Sequence, residues 1–495
     1  MQPKRIGDRL IEAGLITEAQ LKIALEEQKK TGELLGAICF GLGFISQTDL
    51  FTVLSMVHGN DQQKKDVSNG VNIPDDLDEI VKQSTSALRT FEREANRPGD
   101  VSIAPVVRLV DRIITTALQK GATDIHIGPD AKGTRVRYRV DGLLQHGMYL
   151  PKEILAALVS RIKILGAMNI AENRVPQDGA TEFAWKSKML DLRISTFPIL
   201  GGENIVLRIL DKSRLLLGLE NLGFRKEDIE LLNKSLVMPY GLILVTGPTG
   251  SGKTTTLYSL LSIINSVYKN IFTIEDPIEY QLPLVRQSQV NIKAGLTFAT
   301  GLRSILRQDP DVILVGEMRD AETAELAIRS SLTGHLVFST LHTNDAASSL
   351  PRIIDMGIEP FLLASTVDTI IAQRLVRLLC EKCKEAYAPP PEMVKRFIPP
   401  SGGLEPSITG ETVLYRAKGC PECSDTGYRG RTVIYEIFKM NEELRKLVLS
   451  KKGSDELFET AIRTGLRTMY TVGIQKAAEG LTSLEEVHSA TRTAF

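Results

Sequence analysis

The distribution of apolar and polar residues predicts a small mixed domain before the middle of the chain. Thr134–Val140 alternates polar and apolar side chains and is followed by Asp-Gly. This alternation predicts a strand with one buried face, and Asp-Gly predicts a hairpin turn. Two further strand-like runs, Met189–Thr196 and Ile205–Leu210, lie on either side of a Gly-Gly pair. Residues 101–215 are therefore predicted to form an α+β domain.

The next part of the chain, residues 216–379, has a different pattern. Four short apolar runs predict buried parallel strands, and they are Leu242–Thr246, Ile271–Ile274, Val312–Val315 and Leu336–Thr340. Residues with reactive side chains follow each run. Because open parallel sheets bind ligands at the carboxyl ends of their strands, a ligand site is expected at that edge.

The two ends of the chain have other patterns. Residues 1–58 contain a duplication in which each copy predicts a short helix, a glycine turn and a longer helix. Within it, Thr17–Gln20 has the pattern of a capping box. Residues 59–100 are mostly polar and predict a linker, with or without some helix. Residues 380–430 hold two cysteine pairs, and residues 431–495 are predicted to be a helical region.

Composition narrows the class of protein. The chain has 495 residues, enough for several domains, and its 60 basic and 60 acidic residues cancel. It therefore has no overall charge that would favour nucleic acid or an anionic membrane. No apolar stretch approaches the roughly 20 residues of a spanning helix, and the first residues do not resemble a secretory signal. Any membrane association is expected to be peripheral or through a partner.

A phosphate-binding loop is predicted directly after the first buried strand. Gly247–Thr254 matches G-x-x-x-x-G-K-T between an apolar strand and a helical run. Glycines let backbone N–H groups turn inward around phosphate oxygens at a helix N-terminus. Lys253 would reach the β- and γ-phosphates of ATP, and the Thr254 hydroxyl would bind Mg²⁺. The predicted nucleotide-binding residues are Gly247, Pro248, Thr249, Gly250, Ser251, Gly252, Lys253, Thr254 and Thr255.

Acidic residues and histidines follow the other strands. Glu279 follows the second run, and Glu317 follows the third. Many P-loop proteins have Asp at the end of the third strand, where this chain has Gly316, so that Glu317 is left to act on the metal or its water. His335 and His342 flank the fourth run and could sense the γ-phosphate or link it to a neighbouring subunit. The alternatives are helix-capping carboxylates and structural histidines.

Four of the five cysteines form two Cys-x-x-Cys pairs. Cys380, Cys383, Cys420 and Cys423 together offer four thiolates, a set suited to tetrahedral structural zinc. Unligated cysteines or a redox pair are the alternatives. So few cysteines in a long chain argue against a disulfide scaffold and favour the cytoplasm. Cys39 lies in the apolar repeat and is predicted to be a small core residue.

Motifs in this order resemble the secretion ATPases of type II secretion and type IV pilus assembly. The family's Walker A, Asp box, Walker B and His box correspond to Gly247–Thr254, Glu275–Glu279, Arg307–Asp320 and the segment from Thr333 to Asn344. Ala122–His126 and Arg137–Gly142 also resemble the family's second N-terminal domain. The resemblance extends over residues 101–495.

The resemblance implies a multidomain α/β fold in which a RecA-like P-loop core follows the α+β domain. It implies an ATPase that works as a cytoplasmic ring, usually a hexamer, and that acts on an inner-membrane platform protein. By resemblance, Glu279 activates the water and Glu317 is the Walker B acid. Arg193 and Arg208 match positions that act as arginine fingers on the nucleotide. The cysteine pairs favour a secretion or assembly motor, because pilus retraction members usually lack them.

The N-terminal duplication resembles a module that binds cyclic di-GMP in some family members. Arg5 and Gln28 match its first motif, whereas Leu34 and Val57 occupy the equivalent positions of the second. Losing an arginine removes a bidentate contact to phosphate or guanine. A docking domain for a membrane-anchored partner is therefore the alternative function of this module.

Two other functions for the whole chain remain as alternatives. A nucleic-acid motor is disfavoured by the neutral net charge and by the lack of an aromatic and basic stripe. A regulatory nucleotide-binding subunit with weak turnover is the second.

Overall fold

The computed structural model describes residues 16–31, 44, 81, 83–85, 104–186, 188–211, 218–390, 392–393 and 412–491. By its contacts the chain divides into two units, Met1–Asp75 with Trp185–Ser187, and Asp76–Ala184 with Lys188–Phe495. None of the helices in the described ranges combines the length and the apolar character that a membrane crossing requires.

In the first unit, helix α1 (Glu18–Thr31) begins with the predicted capping box. The N–H of Gln20 donates to the Thr17 hydroxyl at 3.3 Å, and the N–H of Thr17 donates to Gln20 Oε1 at 2.8 Å. Two donors at the helix start are thereby satisfied, which confirms this prediction. Arg5, Cys39 and the side chain of Gln28 lie outside the described residues, so the predicted cyclic di-GMP contacts stay predictions.

In the second unit, helix α2 (Ala104–Gln119) precedes a six-stranded sheet with strand order β3-β2-β1-β6-β5-β4. The strands are β1 (Asp124–Asp130), β2 (Gly133–Val140), β3 (Leu143–Leu150), β4 (Gln177–Trp185), β5 (Lys188–Ile199) and β6 (Gly202–Leu210). Helix α3 (Ile154–Leu165) packs on α2 and β6. The β2–β3 turn has positive φ at Asp141 (48°) and Gly142 (88°), as the Asp-Gly pair predicted.

The register of this sheet groups three charged residues. Arg193 on β5 lies directly opposite Arg208 on β6, and Arg208 lies opposite Asp124 on β1. Because directly paired residues in a sheet point to the same side, these three side chains share one face.

Short helices α4 (Leu219–Leu222) and α5 (Lys226–Leu236) lead into a seven-stranded sheet with strand order β15-β12-β7-β11-β10-β8-β9. Its strands are β7 (Gly241–Thr246), β8 (Ile271–Glu275), β9 (Val285–Gln289), β10 (Val312–Val315), β11 (Leu336–Leu341), β12 (Val367–Leu379) and β15 (Tyr428–Lys439). The helices between them are α6 (Lys253–Ile264), α7 (Phe298–Ile305), α8 (Ala321–Leu332), α9 (Ser349–Asp355) and α10 (Pro360–Thr366). A 3₁₀ turn spans Ile292–Ala294.

The four predicted apolar runs form β7, β8, β10 and β11, which pair in parallel. Every residue of β7 is buried, since Leu242 and Leu244 pack into the core on one face while Ile243 and Val245 pack into the core on the other. Helices cover both faces, which explains why these strands are continuously apolar rather than alternating. The predicted mixed α/β fold with a parallel core is confirmed.

Two long strands of this sheet were not predicted. β12 runs parallel to β7, and β15 runs antiparallel to β12. The predicted helical region from residue 431 therefore begins inside β15, before helices α11 (Glu442–Leu449), α12 (Ser454–Arg463), α13 (Met469–Ala478) and α14 (Leu484–Thr491). Glu436 obscured the strand because it interrupts an apolar run, yet it is buried and accepts the N–H groups of Ala346 and Met469. The proposed domain boundaries stay predictions.

Candidate nucleotide site and metal centre

The loop between β7 and α6 has the backbone of a phosphate cradle. Gly250 (φ 80°) and Gly252 (φ 87°) lie in the left-handed region, which glycine adopts without steric cost. The Lys253 ammonium donates to the carbonyl oxygens of Gly247 at 2.8 Å and Pro248 at 3.1 Å. The lysine side chain therefore lies back along the loop, where it can reach a phosphate bound by the loop N–H groups.

The charge of Glu317 acts on this lysine. Burial lowers the pKa of Lys253, and the Glu317 carboxylate partly offsets this effect. Arg319 forms an ion pair with Glu317, and His342 Nε2 lies 3.4 Å from Glu317 Oε2. The structure thus brings together the P-loop lysine, the predicted Walker B acid and one of the two predicted histidines.

The close packing around Gly316 explains why glycine stands at the end of β10. Its N–H donates to the Ile274 carbonyl at 2.8 Å, and its carbonyl accepts the Thr340 hydroxyl at 2.7 Å. A Cβ at this position would lie 3.3 Å from the Glu275 Cα, a tight contact with backbone that cannot easily move. An aspartate would therefore strain the end of the strand. The first acidic residue after β10 is instead Glu317, which follows Gly316 directly.

The carboxylates after β8 have different environments. Glu275 is buried and accepts hydrogen bonds from the hydroxyls of Tyr258 and Thr273. Burial, followed by the nearby Glu275 charge, raises the pKa of Tyr258. Glu275 is thus held in a structural network. Glu279 is partly exposed, and its Oε2 lies 3.4 Å from Arg193 Nη1. Of these two glutamates, Glu279 is the one that a reacting group can approach.

The two predicted finger arginines have different partners. Arg193 Nη2 also donates to the Ile278 carbonyl at 2.8 Å, which fixes the guanidinium against the loop that carries Glu279. Arg208 Nε donates to Asp124 Oδ1 at 3.0 Å, and its side chain is 61% exposed. Arg193 thus contacts the loop after β8, whereas Arg208 is bound to a residue of its own sheet and keeps its charge accessible to solvent.

The four cysteines of the two Cys-x-x-Cys pairs converge. Their sulfur atoms all lie within 4.8 Å of one another. The separations are 3.9 Å for Cys380 and Cys420, 3.8 Å for Cys383 and Cys423, and 3.7 Å for Cys420 and Cys423. Zinc–sulfur bonds of about 2.3 Å in a tetrahedron require sulfur atoms about 3.8 Å apart, so the donor set fits zinc.

The backbone around these cysteines supports the same conclusion. Cys423 Sγ accepts N–H groups from Cys420 and Gly427, each at 3.2 Å. Such donors stabilise thiolate charge, which a zinc ligand carries. The cysteine pairs lie on two short segments joined by the small sheet of β13 (Glu385–Tyr387) and β14 (Leu414–Arg416), with a 3₁₀ turn at Pro421–Cys423.

Comparison with known proteins identifies the family. The model of the family described as "Type II/IV secretion system protein" matches residues 100–489. The chain belongs to this family. Type II secretion system ATPase E of Vibrio cholerae is 46% identical over 453 residues, covering 92% of this chain and 88% of that protein. Type IV pilus assembly ATPase PilB of Myxococcus xanthus is 43% identical over 417 residues, covering 84% and 72%.

The fold agrees with this assignment. The crystal structure of the pilus retraction motor PilT with bound ADP matches with a TM-score of 0.51 and 29% identity, covering 77% of this chain and 96% of that one. The predicted resemblance to secretion ATPases, and the ATPase class that it implies, are confirmed. As a member of this family, the chain is an ATPase.

Within this secretion ATPase, the two histidines lie at opposite edges of the sheet. His335 precedes β11, and its Nδ1 lies 2.8 Å from the Ser330 carbonyl. The P-loop follows β7, which is parallel to β11, so His335 lies at the amino edge and the P-loop at the carboxyl edge. The strand between them spans about 20 Å. The predicted role of His335 as a sensor at its own chain's γ-phosphate is therefore wrong. A link to a neighbouring subunit stays a prediction.

Sequence reasoning missed two contacts of this ATPase. Arg319, two residues beyond Glu317, had no assigned role. Asp141 was recognised as a turn residue, but its Oδ2 also accepts the N–H of Gly430 at 2.8 Å and ties the six-stranded sheet to β15. The proximity of Arg319 to the Walker B acid in sequence was a usable signal. The Asp141 contact joins residues far apart in the chain and left no local signal.

Proposed function

We propose that this protein is a motor ATPase that powers type II protein secretion or type IV pilus assembly at the cytoplasmic side of an inner membrane. The observation that carries the proposal is the ion pair between Arg193 on the six-stranded sheet and Glu279 beside the P-loop core. A nucleotide bound at the P-loop would lie at the boundary of the two sheets. Hydrolysis there can be converted into relative movement of the two halves.

The P-loop residues hold the phosphates in this scheme. Backbone N–H groups of the loop, other than at Pro248, would cradle the phosphate oxygens, and Lys253 would neutralise charge on the β- and γ-phosphates. Thr254 would bind Mg²⁺ through its hydroxyl, and Glu317 would hold the metal or its water. When bound, Mg²⁺ would neutralise negative charge on the transferred phosphoryl group.

Glu279 orients and deprotonates the attacking water. Its neighbour Arg193 supplies positive charge near the γ-phosphate. Arg208 stands opposite Arg193 in the sheet and completes the pair of fingers. When the six-stranded sheet closes on the nucleotide, both arginines stabilise charge that develops in the transition state.

The oligomer and its partners are proposed from the family. A hexameric ring would let successive subunits hydrolyse ATP in turn and pass the movement to an inner-membrane platform protein. Association with the membrane would be peripheral and through partners. The N-terminal module would bind cyclic di-GMP or dock a membrane-anchored partner. The four-thiolate cluster favours secretion or assembly over retraction.

Steady-state hydrolysis by purified monomer and oligomer tests the enzymatic part of the proposal. We expect higher turnover per chain in the oligomer, and loss of turnover with retained nucleotide binding in Glu317→Gln and Arg208→Ala. If both variants hydrolyse ATP like the parent, the roles of the acid and the finger are wrong. If the parent itself barely turns over in any oligomeric state, a regulatory subunit becomes the better description.

Complementation tests the cellular role. In the source bacterium lacking this chain, the parent should restore secreted proteins or surface pili, and Glu317→Gln should restore neither. Restoration of either process by the inactive variant would exclude a motor function. Stimulation of turnover by single-stranded nucleic acid would instead favour the nucleic-acid motor.

A further inference from the structure

Gln373, in the middle of β12, uses both ends of its side-chain amide on the segment that forms the phosphate loop. Its Nε2 donates to the Ser251 carbonyl at 2.8 Å, and its Oε1 accepts the Thr256 hydroxyl at 2.8 Å. The side chain is 1% exposed, so water does not compete for these bonds. One residue from a distant strand thus connects the end of the loop to the first turns of α6.

The backbone of the same residue lies against the start of the loop. A Cβ added to Gly247 would lie 2.4 Å from the Gln373 carbonyl oxygen, a distance that real side chains do not adopt. A Cβ added to Gly252 would lie 3.3 Å from Gln373 Nε2. β12 therefore supports the loop at both of these glycines, and its position requires them to lack side chains.

The bond to Ser251 sets the direction of one loop N–H group. In a planar trans peptide the C=O and the following N–H point in opposite directions. Because the Ser251 carbonyl points at Gln373, the N–H of Gly252 points away from β12. In the G-x-x-x-x-G-K-T arrangement, N–H groups at this position face the phosphate.

We infer that Gln373 is a positioning residue that holds the phosphate loop in its binding conformation through the Ser251 carbonyl and the Thr256 hydroxyl. This inference rests on the proposed role of the loop in binding phosphate. Without the amide, the Ser251–Gly252 peptide can rotate, and ordering it again on binding costs affinity. The chemical step, which depends on Glu279 and Glu317, is affected less than nucleotide binding.

Nucleotide affinity of the full-length protein tests the inference, with ADP carrying a fluorescent N-methylanthraniloyl group as the probe. Gln373→Met keeps the length of the side chain and loses both bonds. Gln373→Glu keeps the acceptor for Thr256 but turns an oxygen toward the Ser251 carbonyl. Each should raise the Kd for the probe by about 10-fold, as expected for a lost buried hydrogen bond. The KM for ATP should rise by a similar factor, with a smaller change in kcat.

Substitution of Thr256 separates the effect of the lost hydrogen bond on the Kd from the effect of changed side-chain volume. Thr256→Val removes the hydroxyl at constant shape and should raise the Kd, whereas Thr256→Ser keeps the hydroxyl and should bind like the parent. Because the two residues act through one chain of bonds, Thr256→Val added to Gln373→Met should have little further effect. Full additivity of the two effects would contradict the inference.

Thr369→Val is the matched control for a structural role. Thr369 is buried on the same face of β12, four residues earlier, and bonds to Ser235 on α5 rather than to the loop. It should lower the melting temperature and leave the Kd unchanged. If Gln373→Met lowers the melting temperature and leaves the Kd within twofold of the parent, Gln373 is merely structural. If Gln373→Met does not fold, the Kd values of Gln373→Glu, Thr256→Val and Thr256→Ser test the inference by the same criterion.

Binding of the probe by the parent protein distinguishes a failure of the proposed phosphate site from a failure of the positioning role of Gln373. If the parent does not bind the probe, the proposed phosphate site fails and the inference fails with it. If the parent binds and the Gln373 variants bind equally well, the phosphate site stands and the positioning role is wrong.

Discussion

The guanidinium of Arg193 lies 3.4 Å from the carboxylate of Glu279 and donates to the neighbouring Ile278 carbonyl. This pair joins a strand of the six-stranded sheet to the loop after β8 in the seven-stranded sheet. Movement between the sheets therefore changes the surroundings of the residue proposed to activate water. In the proposed mechanism, this contact would therefore couple hydrolysis to movement.

Arg193→Ala should lower kcat for ATP hydrolysis by about 100-fold or more, because it removes positive charge near the transferred phosphate. Nucleotide binding, measured as the Kd for ADP, should change much less, since the P-loop is untouched. Arg135→Ala is the matched control, because Arg135 is an arginine on β2 that pairs with Asp130. If both variants retain full turnover, Arg193 is not a finger.

Glu317→Gln should abolish turnover while leaving ATP bound. The neutral amide keeps the size of the side chain but removes the charge that would hold the metal or its water. Filter binding of ATP beside phosphate release measures the two properties separately. Glu325→Gln, on the exposed side of α8, controls for the loss of a surface carboxylate. Equal loss of binding and turnover would place Glu317 in folding rather than in hydrolysis.

The cysteine cluster should hold one zinc ion per chain. Cys420→Ser should lower the zinc content measured by atomic emission and lower the melting temperature, because the metal contributes directly to folding. Cys39→Ser should leave the zinc content unchanged, since Cys39 belongs to neither pair. A parent protein that contains no zinc, yet has the same melting temperature with and without a chelator, would argue against a structural metal.

The buried Glu436 should make stability depend on pH. Burial, with the nearby Asp345 charge adding, raises its pKa from 4.5 to about 7 despite N–H donors from Ala346 and Met469. The folded state therefore binds this proton more tightly than the unfolded state. Its contribution is fully present below pH 4.5 and is lost as the pH rises through 7, by about 3 kcal/mol in total.

Denaturant unfolding of the parent and of Glu436→Gln between pH 5 and pH 8 measures this effect. The stability of the variant should fall less over that range, because the amide does not titrate. Glu459→Gln, at an exposed position of α12, controls for the removal of one negative charge. Parallel curves for parent and Glu436→Gln would show that another group causes the pH dependence.

The four central strands β7, β8, β10 and β11 could be predicted because each is largely buried and has one continuous apolar run. The P-loop could be predicted from glycines and a lysine at fixed spacing, because the local backbone geometry of this short segment determines its function. The convergence of Cys380 with Cys420 was also predicted, because two Cys-x-x-Cys pairs together offer the four thiolates of a structural zinc site.

Other features depend on contacts that the sequence does not display. β12 and β15 carry buried polar residues such as Gln373, Arg374 and Glu436, which interrupt the apolar pattern. Their partners lie on distant parts of the chain, so neither the strands nor the role of Gln373 could be inferred locally. His335 was misplaced for a related reason. A histidine next to a strand can lie at either edge of the sheet, and only the direction of the neighbouring strands decides which.

The direct pairing of Arg193 with Arg208 limits how this protein can change during evolution. Both side chains share a face because the β5–β6 hairpin has its present register. Inserting or deleting a single residue within either strand would turn one arginine to the opposite side of the sheet. In homologous chains, insertions and deletions in this hairpin should therefore be confined to the Leu200–Gly201 turn.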